Sequence, residues 1–117
     1  MRILISYEES FYLYSDALHR ALSGLRPDAE VAACRLSVIG EQVESFNPNL
    51  VVSNRPNTVD AGGRAAWYEL SPEPDEPSEA CLNGRRSRRS NPPLEELLTF
   101  IDEVEAFVRS GREGGSC

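Results

Sequence analysis

The chain has 117 residues, a length that fits one domain with a single core. Its net charge of −7 opposes sequence-independent binding to nucleic acid or to an anionic membrane, because the average field repels both. All twelve basic residues are arginine, so the chain contains no lysine. The apolar run Ile3 to Ile5 is followed at once by Glu8 and Glu9, which predicts neither a signal peptide nor a membrane span. We therefore expect a cytoplasmic protein without a membrane segment.

The first half of the chain alternates apolar runs with amphipathic segments. Short apolar runs predict buried strands at 2–6, 30–35 and 50–53. Between them, apolar residues recur at spacings of three and four, which predicts a long helix at 14–25 and a short helix at 39–46 capped by Ser37. Two successive strand-helix-strand units with right-handed crossovers predict a parallel sheet in the order 2-1-3.

The pattern changes after the third strand. Further strands are predicted at 65–70 and 80–82, and the segment between them is too rich in proline for a helix, which favours an antiparallel pair. The connection 55–64 is shorter than a usual helical crossover. An amphipathic helix is predicted at 94–108 and a flexible tail at 111–117. The expected fold is a three-layer α/β domain over residues 1–110 with a shortened second half, whose two strands form an antiparallel hairpin unless the missing crossover reflects a swapped strand or a long loop.

Three stretches of the sequence resemble the receiver domain of response regulators. They are Ile3-Leu4-Ile5 before an acidic turn, the run from Pro48 to Val52 before Asn54, and the run from Pro92 to Leu98. The resemblance covers both ends of the chain and is weakest between residues 55 and 90. It implies a flavodoxin-like sheet with an acidic magnesium-binding pair after the first strand and a phosphorylatable aspartate after the third. It also implies a serine or threonine after the fourth strand and a lysine after the fifth.

The receiver residues are partly lost when they are carried over by position. The acidic pair falls on Tyr7-Glu8 or, with a slip of one residue, on Glu8-Glu9, and the hydroxyl, phosphoacceptor and lysine positions fall on Ser71, Asn54 and Asn91. The amide of Asn54 cannot form an acyl phosphate as a carboxylate does. No lysine exists to replace Asn91, although an arginine from 85–89 could reach in.

The resemblance therefore implies a pseudo-receiver that is not an enzyme. Such a module signals through a protein partner or through self-association, and in receivers the contact face borders the last helix, here 94–108. With the phosphoacceptor and its lysine both lost, we expect neither a metal nor a cofactor.

The alternative is a small-ligand binding domain. In open α/β sheets ligands bind beyond the carboxyl ends of the strands where the strand order switches, here between the first and third strands. A phosphate- or carboxylate-bearing ligand would meet Arg55, Asn57, Asp60 and Arg64 in a loop that also carries two glycines. The loop has no dinucleotide or Walker fingerprint. Glu8 and Asp60 together make only a weak cation site.

Several other residues invite a functional interpretation. The basic run 85–89 is predicted to lie on a loop neutralised by the acidic segment 73–79, so we do not expect nucleic-acid binding. His19, the only histidine, is predicted to be exposed on the first helix, and the three cysteines are predicted to be free thiols. Five aromatic residues are predicted to pack in the core or at its edge, whereas an aromatic patch at the rim would indicate a partner surface: Tyr7, Tyr12, Tyr14, Trp67 and Tyr68.

Overall fold

The computed structural model describes residues 1–54, 65–70, 78–89 and 93–110. The strands in these ranges are β1 (Arg2–Tyr7), β2 (Glu30–Arg35), β3 (Leu50–Ser53), β4 (Ala66–Glu69), β5 (Ser78–Leu82) and β6 (Arg85–Arg89). The helices are α1 (Tyr12–Leu25), α2 (Ile39–Phe46) and α3 (Pro93–Arg109). Short 3-10 turns at Glu9–Phe11 and Leu36–Val38 lead into α1 and α2.

All the described strands join one sheet in the order β2-β1-β3-β4-β5-β6. β1 pairs in parallel with β2 and β3, and β3 pairs in parallel with β4. β5 is antiparallel to β4, and β6 is antiparallel to β5. The predicted order 2-1-3 and the predicted antiparallel pairing of β4 with β5 are confirmed.

The prediction of a loop at 85–89 is wrong, because these residues form the edge strand β6. Asn83 and Gly84 have φ values of 56° and 77° and make the tight turn between β5 and β6. A two-residue Asn-Gly turn between strands is the strongest local signal for a hairpin. An arginine-rich strand is tolerated because an edge position leaves its side chains in water.

Alternate residues of the central strands face two different cores. Ile3, Ile5 and Val52 face the core beneath α1 and α3. Leu4 and Val51 face the core beneath α2. This alternation, with both faces covered, is the pattern of a buried parallel sheet, and it gives the three layers that the sequence predicts.

The buried stripe of α1 differs from the predicted one. Its buried residues are Ser15, Leu18 and Leu22, whereas Tyr14 and Leu25, predicted to face the core, are 52% and 48% exposed. Leu18 and Leu22 are buried as predicted, so the buried stripe keeps its position but is narrower than predicted. A small serine takes the buried position close to the sheet, and aromatic surface is left in water.

α2 and α3 close the two faces of the sheet. α2 begins after Val38 without a side-chain cap, so the predicted Ser37 cap is wrong, since Ser37 lies inside the 3-10 turn. α3 buries Phe100 against Tyr68, with ring centroids 5.4 Å apart, which confirms its apolar stripe. Arg26, just after α1, donates two hydrogen bonds to the Asp102 carboxylate of α3, at 3.0 and 2.9 Å.

Candidate functional site

The carboxyl ends of β1 and β3 lie side by side, because Ser6 pairs with Ser53 in the parallel register. Glu8 and Asn54 follow these strand ends and are both half-buried. The Glu8 carbonyl accepts a 2.9 Å hydrogen bond from the Phe11 amide, which fixes the start of the turn into α1. The structure therefore places Glu8 and Asn54, two residues of the predicted site, at the same edge of the sheet.

The other predicted site residues cannot be placed in this way. The structure describes Glu9 as the first residue of the 3-10 turn and gives no account of its side chain. The remaining candidates lie outside the described residues: Arg55, Asn57, Asp60, Arg64, Ser71 and Asn91. Among the described residues, no group of three or more histidine, cysteine, aspartate or glutamate side chains could hold a metal ion.

A closed cleft lies between the strand ends and the first turn of α1. Its lining includes Tyr7, Phe11, Tyr14, Ser15 and Asn54, and its volume is about 10 Å³. This volume is close to that of one water molecule. The Ser15 hydroxyl and the Asn54 side-chain oxygen are buried here, and neither has a hydrogen-bond partner within the described part of the chain. Apart from these two polar groups, the lining of the cleft is mainly apolar.

Apolar side chains cover the outside of this cleft. Tyr12, Leu13 and Tyr14 are 56%, 81% and 52% exposed, and we call these three residues the rim patch. Tyr12 stacks edge-to-face on Tyr7, with ring centroids 5.8 Å apart, so its ring is held in place. Of the five aromatic residues predicted to pack in the core or at its edge, Trp67 and Tyr68 are buried and Tyr7 is half-buried, whereas Tyr12 and Tyr14 are more than half exposed.

The rim patch carries no charge near neutral pH. Partial burial raises the pKa of the Tyr14 phenol, which keeps it protonated. The ring is thus half-buried against the cleft while its outer half meets solvent. A neutral, partly rigid group of tyrosine and leucine side chains is the composition that protein contact surfaces favour.

The inner face of α3, the helix predicted to border the contact face, is largely buried in the core. Leu97, Phe100, Ile101 and Val104 are at most 1% exposed. Leu94, at 40% exposure, is the largest apolar side chain that the described part of α3 leaves in solvent. Among the described residues, large exposed apolar side chains are thus more numerous in the first turn of α1 than along α3.

His19 and the cysteines differ from their predictions. His19 is half-buried, and its Nε2 lies 3.0 Å from the Val31 carbonyl oxygen of β2. Burial raises the pKa of the Cys34 thiol, and the Ser6 hydroxyl opposite it offsets part of the rise. Cys34 is a free thiol, whereas Cys81 is disulfide-bonded. The expectation of free thiols is thus wrong for Cys81, whose partner sulfur lies outside the described residues.

A second concavity lies at the opposite end of the sheet, with a volume of about 620 Å³. Its lining includes Met1, Asn49, Arg26 and Arg109. The two guanidinium groups are already paired, Arg26 with Asp102 at 2.9 Å and Arg109 with Glu105 at 2.6 Å. This concavity therefore offers a ligand no excess charge.

Two broader findings complete the description. None of the described helices is both long and apolar enough to cross a bilayer. No family model, curated protein or solved structure matches the chain significantly.

Proposed function

We propose that this chain is a non-phosphorylatable, receiver-like interaction module that self-associates through the rim patch. The observation that carries the proposal is the exposure of Tyr12, Leu13 and Tyr14, three large side chains in succession at the start of α1. Successive helical residues point about 100° apart, so these side chains surround the first turn of α1, and large apolar side chains exposed together in this way are typical of a contact surface. Tyrosine contributes large contact area at little cost in conformational entropy, which favours it at such surfaces.

The chemistry of the strand ends supports the loss of phosphorylation. Asn54 offers a neutral amide where the resemblance requires a carboxylate nucleophile. Its side-chain oxygen is buried in a cleft of about 10 Å³ whose lining includes Phe11 and Tyr14. The same volume leaves no room for a phosphate in this cleft, whereas the loop 55–64 that the small-ligand alternative requires lies outside the described residues.

A second copy of the chain is the partner that the patch favours. The patch is neutral, so two patches can meet without desolvating a charge. The net charge of −7 on each copy opposes the encounter at long range. Added salt screens that repulsion, so we expect self-association to strengthen as ionic strength rises.

Sedimentation velocity over a range of protein concentrations and salt tests this proposal. Leu13→Glu and Leu94→Glu are matched variants, because each places a carboxylate at the second position of a helix, where the helix dipole favours it. We expect Leu13→Glu to sediment as a monomer and Leu94→Glu to associate like the parent chain.

Two outcomes would contradict the proposal. One is a parent chain that stays monomeric at every concentration and salt. The other is a chain that becomes monomeric with Leu94→Glu and not with Leu13→Glu, which would place the contact face on α3.

The compartment in which the module works is a separate proposal. A cytoplasmic location follows from the sequence-based expectation, but the disulfide at Cys81 weighs against it, because structural disulfides persist mainly in oxidising compartments. Counting the free thiols of the purified chain separates the two alternatives.

A further inference from the structure

The two edge strands of the sheet, β2 and β6, differ in what contacts their outer backbone groups. At β2, the His19 ring covers the edge by contacting the Val31 carbonyl at 3.0 Å. At the other edge, β6 pairs with β5 on its inner side, and no described strand lies on its outer side. Unpaired edge groups are a ready template for another extended chain.

The backbone of β6 can be oriented from its hairpin turn. In a two-residue hairpin the residues that flank the turn form a hydrogen-bonded pair, here Leu82 and Arg85. Such pairs alternate along an antiparallel ladder, so Ser87 also bonds inward. The amides and carbonyls of Arg86 and Arg88 therefore face the open edge, at the spacing that an added strand requires.

The exposed side chains of β6 carry excess positive charge. Arg86 pairs with Glu79 at 3.4 Å and with Glu69 at 3.9 Å. Arg85 and Arg88 are exposed, and no described carboxylate forms an ion pair with either. The strand is thus locally basic on a chain of net charge −7. Like charges would repel a second copy of β6, whereas an acidic strand would neutralise them.

We propose that β6 is a docking edge for an acidic, extended segment of a partner protein, which adds to the sheet as a further strand. The outward amides and carbonyls of Arg86 and Arg88 supply the main-chain hydrogen bonds. The guanidinium groups on both faces supply charge-assisted contacts to acidic side chains at successive positions of the added strand, which alternate between the two faces. A nucleic acid fits less well, because β6 contains no aromatic side chain on which bases could stack.

Fluorescence anisotropy with a labelled peptide that repeats Glu-Glu-Val, which places glutamate on both faces of an extended chain, tests the charge requirement. Arg85→Glu/Arg88→Glu should weaken binding by about tenfold or more, because two attractions become repulsions. Arg20→Glu/Arg109→Glu is the control: it changes the net charge equally at exposed residues of helices α1 and α3, outside β6. We expect the control to bind nearly as tightly as the parent chain, and binding should fall as salt rises.

Two further probes test strand addition on the parent chain, independently of any variant's folding. The same peptide with alternate amides methylated keeps its charge but loses its main-chain donors, so we expect it not to bind. An oligonucleotide of equal charge should bind more weakly than the parent peptide. The proposal is overturned if the parent peptide does not bind, if the methylated peptide binds as well, if the oligonucleotide binds more tightly, or if the two double variants weaken binding equally.

Discussion

Truncating one exposed and one buried leucine of α1 compares the solvent-facing side of that helix with its buried side. Leu13 is 81% exposed, and Leu22 is fully buried beneath the helix. Leu13→Ala and Leu22→Ala are the same substitution in the same helix, so any change in helix propensity is shared. The difference between their free energies of unfolding therefore reports burial alone.

The expected magnitudes follow from these exposures. Leu22→Ala removes a buried side chain and leaves a cavity, which should lower the free energy of unfolding by about 3 kcal/mol. Only a minor part of the Leu13 side chain is shielded from water, so Leu13→Ala should lower the free energy of unfolding by less than about 0.5 kcal/mol. Self-association, by contrast, should be weakened by Leu13→Ala, because the truncation removes the most exposed member of the rim patch.

Urea unfolding followed by circular dichroism measures both values, at a dilution where the chain is monomeric. A loss above about 1.5 kcal/mol for Leu13→Ala, well beyond an ordinary surface effect, would make Leu13 a core residue and remove the rim patch as a free surface. A loss below about 1 kcal/mol for Leu22→Ala would contradict the packing of α1 on the sheet.

Four further outcomes are expected. Gly84→Ala should destabilise the chain by about 1 kcal/mol or more because φ is 77° there, whereas Gly40→Ala, in helix α2, should stabilise it by up to about 1 kcal/mol; equal urea midpoints for the two would refute the turn geometry. A double-mutant cycle on Arg26 and Asp102 should give a coupling of about 0.5 to 1 kcal/mol, since the pair is partly exposed, and zero coupling would refute the bidentate contact. In denaturant without reductant, Cys34 should be alkylated and Cys81 should not, as peptide mapping would show; alkylation of Cys81 before reduction would refute its disulfide. The pKa values of Tyr14 and Cys34 are raised in the folded chain, so the stability contributed by their neutral forms is present below their unfolded pKa values and is lost at alkaline pH. Tyr14→Phe should therefore unfold less readily than the parent chain above about pH 10, and identical alkaline titrations would contradict this.

The parts of the fold that were predicted correctly are those with a strong period. The first three strands were located within one residue of their observed bounds because each is a short apolar run bounded by turn residues. α3 was located because its stripe of Leu97, Ile101 and Val104 follows the helical spacing. The antiparallel return to β5 followed from proline, which excludes a helical crossover between β4 and β5.

The parts that were missed have physical reasons. Hydropathy cannot distinguish a charged edge strand from a solvated loop, so β6 was missed although Asn83 and Gly84 carried the turn signal. The same limit hid the narrower buried stripe of α1, where Ser15 is buried and Tyr14 exposed, because the helix carries large side chains on several sides. The rim patch itself was considered in the sequence only as an alternative to core packing.

The candidate site was predictable in part. Parallel topology brings the ends of β1 and β3 together, so the placement of Glu8 and Asn54 at one edge follows from strand order. The size of the cleft between them could not be predicted, because it depends on how Phe11 and Tyr14 pack over Asn54. Because of that packing, apolar side chains lie over the ends of β1 and β3, where a ligand site was predicted.

A dilution series of ¹H–¹⁵N NMR spectra of the parent chain tests the location of the contact surface most directly. Amide signals that change with protein concentration belong to residues at or near the interface between copies. We expect the changes to concentrate on Phe11 to Ser15, at the start of α1. Changes confined to α3, or spectra that do not depend on concentration, would contradict self-association through the rim patch.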